Sequence, residues 1–263
     1  MKILKQSEID WQNDSLHEKC PSLTPFLLEN KKNAPFIIVI PGGGYSHRAF
    51  HEGEPVAKWL NENGFHAAVL RYQVAPIYEQ EVISNGQMAV RAVRFHADNW
   101  GISPEKIGVL GFSAGGHLAA IISNLFDDGD KSSENTIMNY SSRPDFHILC
   151  YPVITMGEHT HQGSKNNLIG EQADEKLVAR FSADKLVTEN TPPAFIWSTA
   201  NDPSVSNFNS LHYAEALQHK NIPYDLHIYQ EGRHGLGLAD EHPHVYMWQS
   251  VCLNWLNQYI SKK

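Results

Sequence analysis

The chain has only three cysteines in 263 residues. Cys20, Cys150 and Cys252 are odd in number and far apart, a pattern that fits neither a disulfide framework nor a zinc site, so they read as buried or idle thiols. Long apolar runs are also missing. No stretch approaches the roughly 20 consecutive apolar residues that a spanning helix needs, so no membrane partner is expected. Charged residues make up 19% of the chain and sum to −8 with no basic cluster, which argues against a nucleic-acid partner. The start, MKILKQSEIDWQNDS, lacks the apolar core and small-residue cleavage site of an export signal, and the expectation is a cytoplasmic protein. There are no internal repeats and no low-complexity tracts.

What is present is a globular composition, 41% hydrophobic, at a length suited to one α/β domain with one large core. A single domain over 1–263 is therefore expected. Apolar runs bounded by turn residues alternate with stretches of helical period, which predicts a mostly parallel sheet covered by helices on both faces. The runs Phe36 to Ile40, His66 to Tyr72, Ile107 to Phe112, His147 to Tyr151, Ala194 to Thr199 and Tyr224 to Tyr229 read as strands. Helices are expected from Glu54, where Pro55 suits a first turn, from Gln87 to Trp100 ahead of Gly101, and directly after Ser113. A last helix from Pro243 to Tyr259 would bury Val245, Trp248, Cys252, Trp255 and Tyr259 in one stripe. Residues 1–35 read as irregular or antiparallel edge structure. Residues 154–192 read as a long insertion, a small cap with a helix near Ala173 to Phe181, because long insertions in compact domains are usually functional.

One segment carries the sharpest chemical signal. In IGVLGFSAGGHLAA a strand-like run meets Gly111-Phe112-Ser113-Ala114-Gly115 and passes straight into a helical run. The bare Gly-x-Ser-x-Gly pattern arises by chance in about one chain in ten of this length, so the strand before it and the helix after it decide the reading. A serine on such a sharp turn is an exposed nucleophile, and the flanking glycines let strand and helix approach closely. The rival reading is a packing turn or a phosphate site at a helix N-terminus. Upstream, IIVIPGGGYSHRAF places Gly42, Gly43 and Gly44 after an apolar strand. Backbone N–H groups stabilise the oxyanion of acyl transfer, which assigns Gly43, Gly44 and the N–H of Ala114 to an oxyanion hole. PGGGY matches neither the dinucleotide nor the P-loop pattern.

Fifteen histidines compete for the role of base. His234, in YQEGRHGLGL just after the last predicted strand, has the required position, and Gly232, Gly235 and Gly237 keep its loop permissive. His117 reads as a packing or hydrogen-bonding residue, and His51, His66, His96, His147, His212 and His227 as surface or satisfied core residues. The acid should follow the preceding strand, and Asp202 does so, where it can fix the His234 tautomer and stabilise its imidazolium. Asp145, Asp184 and Asp240 are weaker by position. The pairs His159/His161 and His242/His244 have no third ligand at a recognisable spacing and read as solvated loops, so neither a metal nor an organic cofactor is implied.

These segments carry a family resemblance. PGGGY at 41–45, WGISPEKIGVLGFSAGGHLAA at 100–120, TPPAFIWSTANDPSV at 191–205 and HIYQEGRHGLGLA at 227–239 together resemble the α/β hydrolases of the carbohydrate-esterase and acetylxylan-esterase-like group. The resemblance spans nearly the whole chain. It implies the α/β-hydrolase fold, a triad of Ser113, Asp202 and His234, Gly43 and Gly44 in the oxyanion loop, and short acyl esters, often on sugars, as substrates. Pro41 stands where lipase relatives often carry histidine. Ser198, Asn201 and Ser206 depart from the usual residues around the acid. The expected activity is a serine carboxylesterase working through an acyl-enzyme on a small-molecule ester, with a homodimer compatible. The alternatives are a peptidase or amidase of the same fold, which the chain length disfavours, and a silent ligand-binding protein on this scaffold, which would usually have lost a triad member.

Overall fold

A computed structural model describes residues 1–11, 21–77 and 79–261. Cys20 and the reading made for it lie outside those residues. Runs of Val, Ile, Leu and Ala become strands where both faces of the run are covered. The strands are β1 (Lys2–Ile3), β2 (Ser22–Phe26), β3 (Ala34–Ile40), β4 (His66–Arg71), β5 (Ile102–Phe112), β6 (Phe146–Cys150), β7 (Ala194–Thr199) and β8 (Tyr224–Tyr229). They form one sheet in the order β1-β2-β4-β3-β5-β6-β7-β8. Every neighbouring pair from β4 through β8 is parallel. The expected antiparallel edge is β2 against β4, whereas β1 runs parallel to β2.

The helices are α1 (Glu54–Glu62), α2 (Glu79–Phe95), α3 (Ala97–Trp100), α4 (Ser113–Asn124), α5 (Gln162–Ile169), α6 (Glu175–Arg180), α7 (Phe208–His219), α8 (Pro243–Tyr246) and α9 (Trp248–Ser261). They cover both faces of the sheet, and β3 shows why. Its Phe36, Ile38 and Ile40 point into a cluster with Val90 of α2, Leu118 of α4 and Tyr213 of α7. Its Ile37 and Val39 point the other way, toward Leu60 of α1 and Trp248 and Cys252 of α9. This is the mostly parallel, doubly covered sheet of the α/β-hydrolase fold.

Boundaries differ from the sequence reading in instructive places. Helix α2 starts at Glu79, eight residues before the expected Gln87, because an acidic first turn with Glu79 and Glu81 suits a helix N-terminus. The last helix breaks at Met247, yet that residue keeps helical angles, φ −59° and ψ −18°, and Val251 N–H still donates to its carbonyl at 3.2 Å. The apolar stripe continues across the break with Val245, Trp248 and Cys252 buried, whereas Trp255 and Tyr259 are only partly buried against the same cluster and Leu256, outside the expected set, is fully buried. In 154–192 the expected helix is α6, and α5 and a short 3-10 turn at Ala183–Leu186 accompany it. Asn209 at the start of α7 holds this segment's first residues. Its buried carbonyl accepts from Ile154 N–H (2.8 Å) and Thr155 N–H (3.1 Å), while its amide donates to the carbonyls of His159 and Ser206. Among the described residues, no helix is long and apolar enough to cross a membrane.

Candidate active site

Strand β5 passes into α4 with no intervening loop, and Ser113 stands on the junction with φ +52°. A non-glycine residue takes that conformation only where its surroundings hold it there. The flanking glycines are required by contact. A Cβ on Gly111 would collide with the Gly115 carbonyl, and one on Gly115 with the carbonyls of Ile40 and Pro41. Strand β3, strand β5 and helix α4 thus meet backbone to backbone around Ser113.

Three side chains far apart in sequence are hydrogen-bonded in series. Ser113 Oγ lies 2.7 Å from His234 Nε2, and His234 Nδ1 lies 2.6 Å from Asp202 Oδ2. The Asp202 side chain is buried, and its other oxygen accepts from Ser204 N–H at 2.8 Å and Val205 N–H at 3.0 Å. Burial alone would raise its pKa, but the bonds from His234 and from those two amides outweigh burial and hold the carboxyl below its ordinary range. An ionised Asp202 draws the imidazole proton to Nδ1 and leaves Nε2 as the acceptor facing the serine hydroxyl. The loops carrying the pair are joined to each other as well. Thr199 Oγ1 donates to Gly232 O at 2.8 Å, and Gly232 N–H donates to Asn201 Oδ1 at 2.9 Å.

The glycine loop leaves β3 beside the serine. A Cβ on Gly42 would stand 3.0 Å from Ser113 Cβ and 2.8 Å from Phe112 O. Gly43 and Gly44 follow at φ +121° and +62°, a region open mainly to glycine. Asn167 of α5 donates to Gly44 O at 2.8 Å, tying segment 154–192 to this loop. Ala114 lies in the first turn of α4, where amides have no helical acceptor and the helix dipole is positive.

One residue at the site, Glu52, carried no signal in the sequence, and the histidines divide into several roles. Glu52 is a buried carboxylate that accepts from Gly42 N–H at 2.8 Å. His161 caps α5, its Nδ1 accepting from Ser164 N–H at 3.1 Å, and burial together with the nearby His234 lowers its pKa. The reading of His161 as part of a solvated loop does not hold, because a capping histidine has no spacing of its own by which EHTHQG could announce the helix start. His117 does form hydrogen bonds within the core. It accepts from Tyr45 O–H (2.6 Å) and donates to Phe181 O (2.7 Å), and burial pushes its pKa down to about 4. Of the other histidines, His66 and His147 are core residues, each with one nitrogen lacking a hydrogen-bond partner among the described residues, while His96 stacks on Trp100. His159 departs from a solvated loop by stacking on Phe208, ring centroids 4.5 Å apart. Among the described residues, no three His, Cys, Asp or Glu side chains gather as metal ligands. Asp145 is committed elsewhere, to Arg94 and to Ile107 N–H.

Known proteins share this arrangement of chain and fold. The BD-FAE family model matches residues 26–217. Endo-1,4-beta-xylanase B of Butyrivibrio fibrisolvens is 35% identical over 89% of this chain and 37% of its own length. An acetylxylan esterase of Xylanibacter ruminicola is 36% identical over 81% of this chain and 43% of its own. The chain therefore spans less than half the length of these two curated relatives. Among solved structures, the acetyl ester-xyloside bifunctional hydrolase of Caldicellulosiruptor lactoaceticus superposes with a TM-score of 0.90 at 46% identity, covering 91% of this chain and 88% of that one.

Proposed function

The chain belongs to the BD-FAE family, and from that premise we propose that it is a serine carboxylesterase hydrolysing short acyl esters, acetyl esters first, on carbohydrate alcohols. The observation that carries the reading is the unbroken relay Ser113–His234–Asp202, at 2.7 and 2.6 Å, beside a loop of glycines. His234 Nε2 takes the Ser113 hydroxyl proton as Oγ attacks the ester carbonyl, and Asp202 stabilises the imidazolium that results. The N–H groups of Gly43, Gly44 and Ala114 hold the tetrahedral oxyanion. His234 then returns its proton to the leaving alcohol, and an acyl-Ser113 ester remains. Water gives its proton to the same histidine and adds to that ester, and as the acid leaves, His234 returns the proton to Ser113 Oγ. The acetyl preference draws support from the names of the relatives and from the way segment 154–192 packs on the glycine loop through Asn167, as a cap that would limit the acyl pocket.

Replacing Ser113 with Ala tests the reading. Turnover of p-nitrophenyl acetate and of acetylated xylose should fall to background, and covalent labelling by a fluorophosphonate should vanish with it. A Ser113→Ala protein that keeps its turnover would refute the assignment of the nucleophile.

A further inference from the structure

Glu52 ends the short 3-10 turn Phe50–Glu52, ten residues after the first glycine of the loop. A carboxylate with 2% exposure is costly to bury unless donors surround it. Its two oxygens face different parts of the site. Oε2 accepts from Gly42 N–H at 2.8 Å, and Oε1 accepts from Tyr151 O–H at 2.7 Å. The same phenol oxygen accepts from Gly237 N–H at 2.7 Å, three residues past His234, and the Tyr151 ring meets the His234 ring edge-on at 5.0 Å. Tyr151 is fully buried, and burial together with the Glu52 charge keeps it protonated, so its single proton points at the carboxylate. The neighbouring His51 donates from Nε2 to Gly235 O at 2.9 Å and stands 3.7 Å from Glu52 Oε1.

We infer that Glu52 is a positioning residue that locks the glycine loop to the loop carrying His234, with Tyr151 as the relay between them, so that oxyanion donors and base keep one mutual geometry. This rests on the esterase reading above. A carboxylate suits the place because both of its oxygens accept, one from a backbone amide and one from a phenol. An amide side chain offers one acceptor and one donor, and leaves either Gly42 N–H or Tyr151 O–H facing a donor.

The test compares Glu52→Gln, Tyr151→Phe and the double variant on p-nitrophenyl acetate, with active sites counted by fluorophosphonate labelling. Each single variant should lower kcat per labelled site by roughly 10- to 100-fold, the cost of misplacing reacting groups by an ångström or less, with KM within about threefold of wild type. The double variant should be no slower than about twofold below the worse single one, because both act through one link. A purely structural role would lower the melting temperature and the fraction of labelled sites while leaving kcat per site unchanged. That result, or fully multiplicative losses, would overturn the inference. If Glu52→Gln does not fold, Tyr151→Phe, which removes one oxygen, decides alone. Wild-type protein that fails to label at Ser113 would instead overturn the esterase reading itself.

Discussion

Mild acid should unfold this protein through two buried histidines, and the effect can be sized. His117 lies wholly inside, between Tyr45 and Phe181, and burial lowers its pKa from 6.5 to about 4. His147, equally buried, is lowered from 6.5 to about 3, again mainly by burial, with the Arg143 charge adding to it. Both are neutral in the folded chain at pH 7. Below pH 6.5 the unfolded chain takes up protons that the folded chain refuses, so stability falls with pH through that window and levels off only at the folded-state pKa of each. By pH 4.5 each group should remove roughly 2–3 kcal/mol, or on the order of 5 kcal/mol for the pair, from a total that for a domain is on the order of 5–15 kcal/mol. His117→Gln removes one titration and keeps a polar side chain between the same two partners. Urea unfolding at pH 7.0, 5.5 and 4.5 should show the variant less stable at neutral pH, since a good hydrogen bond is lost. Its fall between pH 7.0 and 4.5 should be shallower than wild type by about 2–3 kcal/mol. Parallel stability-versus-pH lines for the two proteins would refute the buried neutral imidazole as the cause.

Three further outcomes are expected. Asp202→Asn should cut kcat on p-nitrophenyl acetate by roughly 10³–10⁴-fold with an unchanged fold by circular dichroism, because an amide cannot hold the imidazole in the Nδ1–H tautomer. Gly115→Ala pushes a methyl against the Ile40 and Pro41 carbonyls and should destabilise by about 1–3 kcal/mol, read as a melting temperature lower by some degrees, with turnover falling as the serine junction shifts. Asn209→Ala strands the buried amides of Ile154 and Thr155 and should cost about 2–4 kcal/mol in urea denaturation.

The strands that position the site were legible because alternation and turn residues state them directly. The runs from Phe36, His66, Ile107, His147, Ala194 and Tyr224 all became strands, with ends within two residues except β5, which starts five residues earlier at Ile102. That Ser113, Asp202 and His234 meet was legible for a topological reason. In a parallel sheet every strand delivers its following loop to the same edge, so residues just past β5, β7 and β8 converge there. Glu52 and Tyr151 escaped notice, and His161 was read only as half of a solvated pair, because their roles depend on which loops touch across the fold, of which a single glutamate, tyrosine or histidine carries no local mark. Helix α5 escaped for a different reason. In QGSKNNLI only Leu168 and Ile169 are buried apolar residues, so no periodic stripe announces it.

The double tie between Thr199, Asn201 and Gly232 means that the carrier of the imidazole is moored to its neighbour before any charge enters the account. On the esterase reading, taking away the carboxylate's negative charge would then disable the chemistry while the ring's address stays fixed. Electrostatic tuning and mechanical support are thus held by separate atoms. A change at Asn201 would slacken the mooring itself.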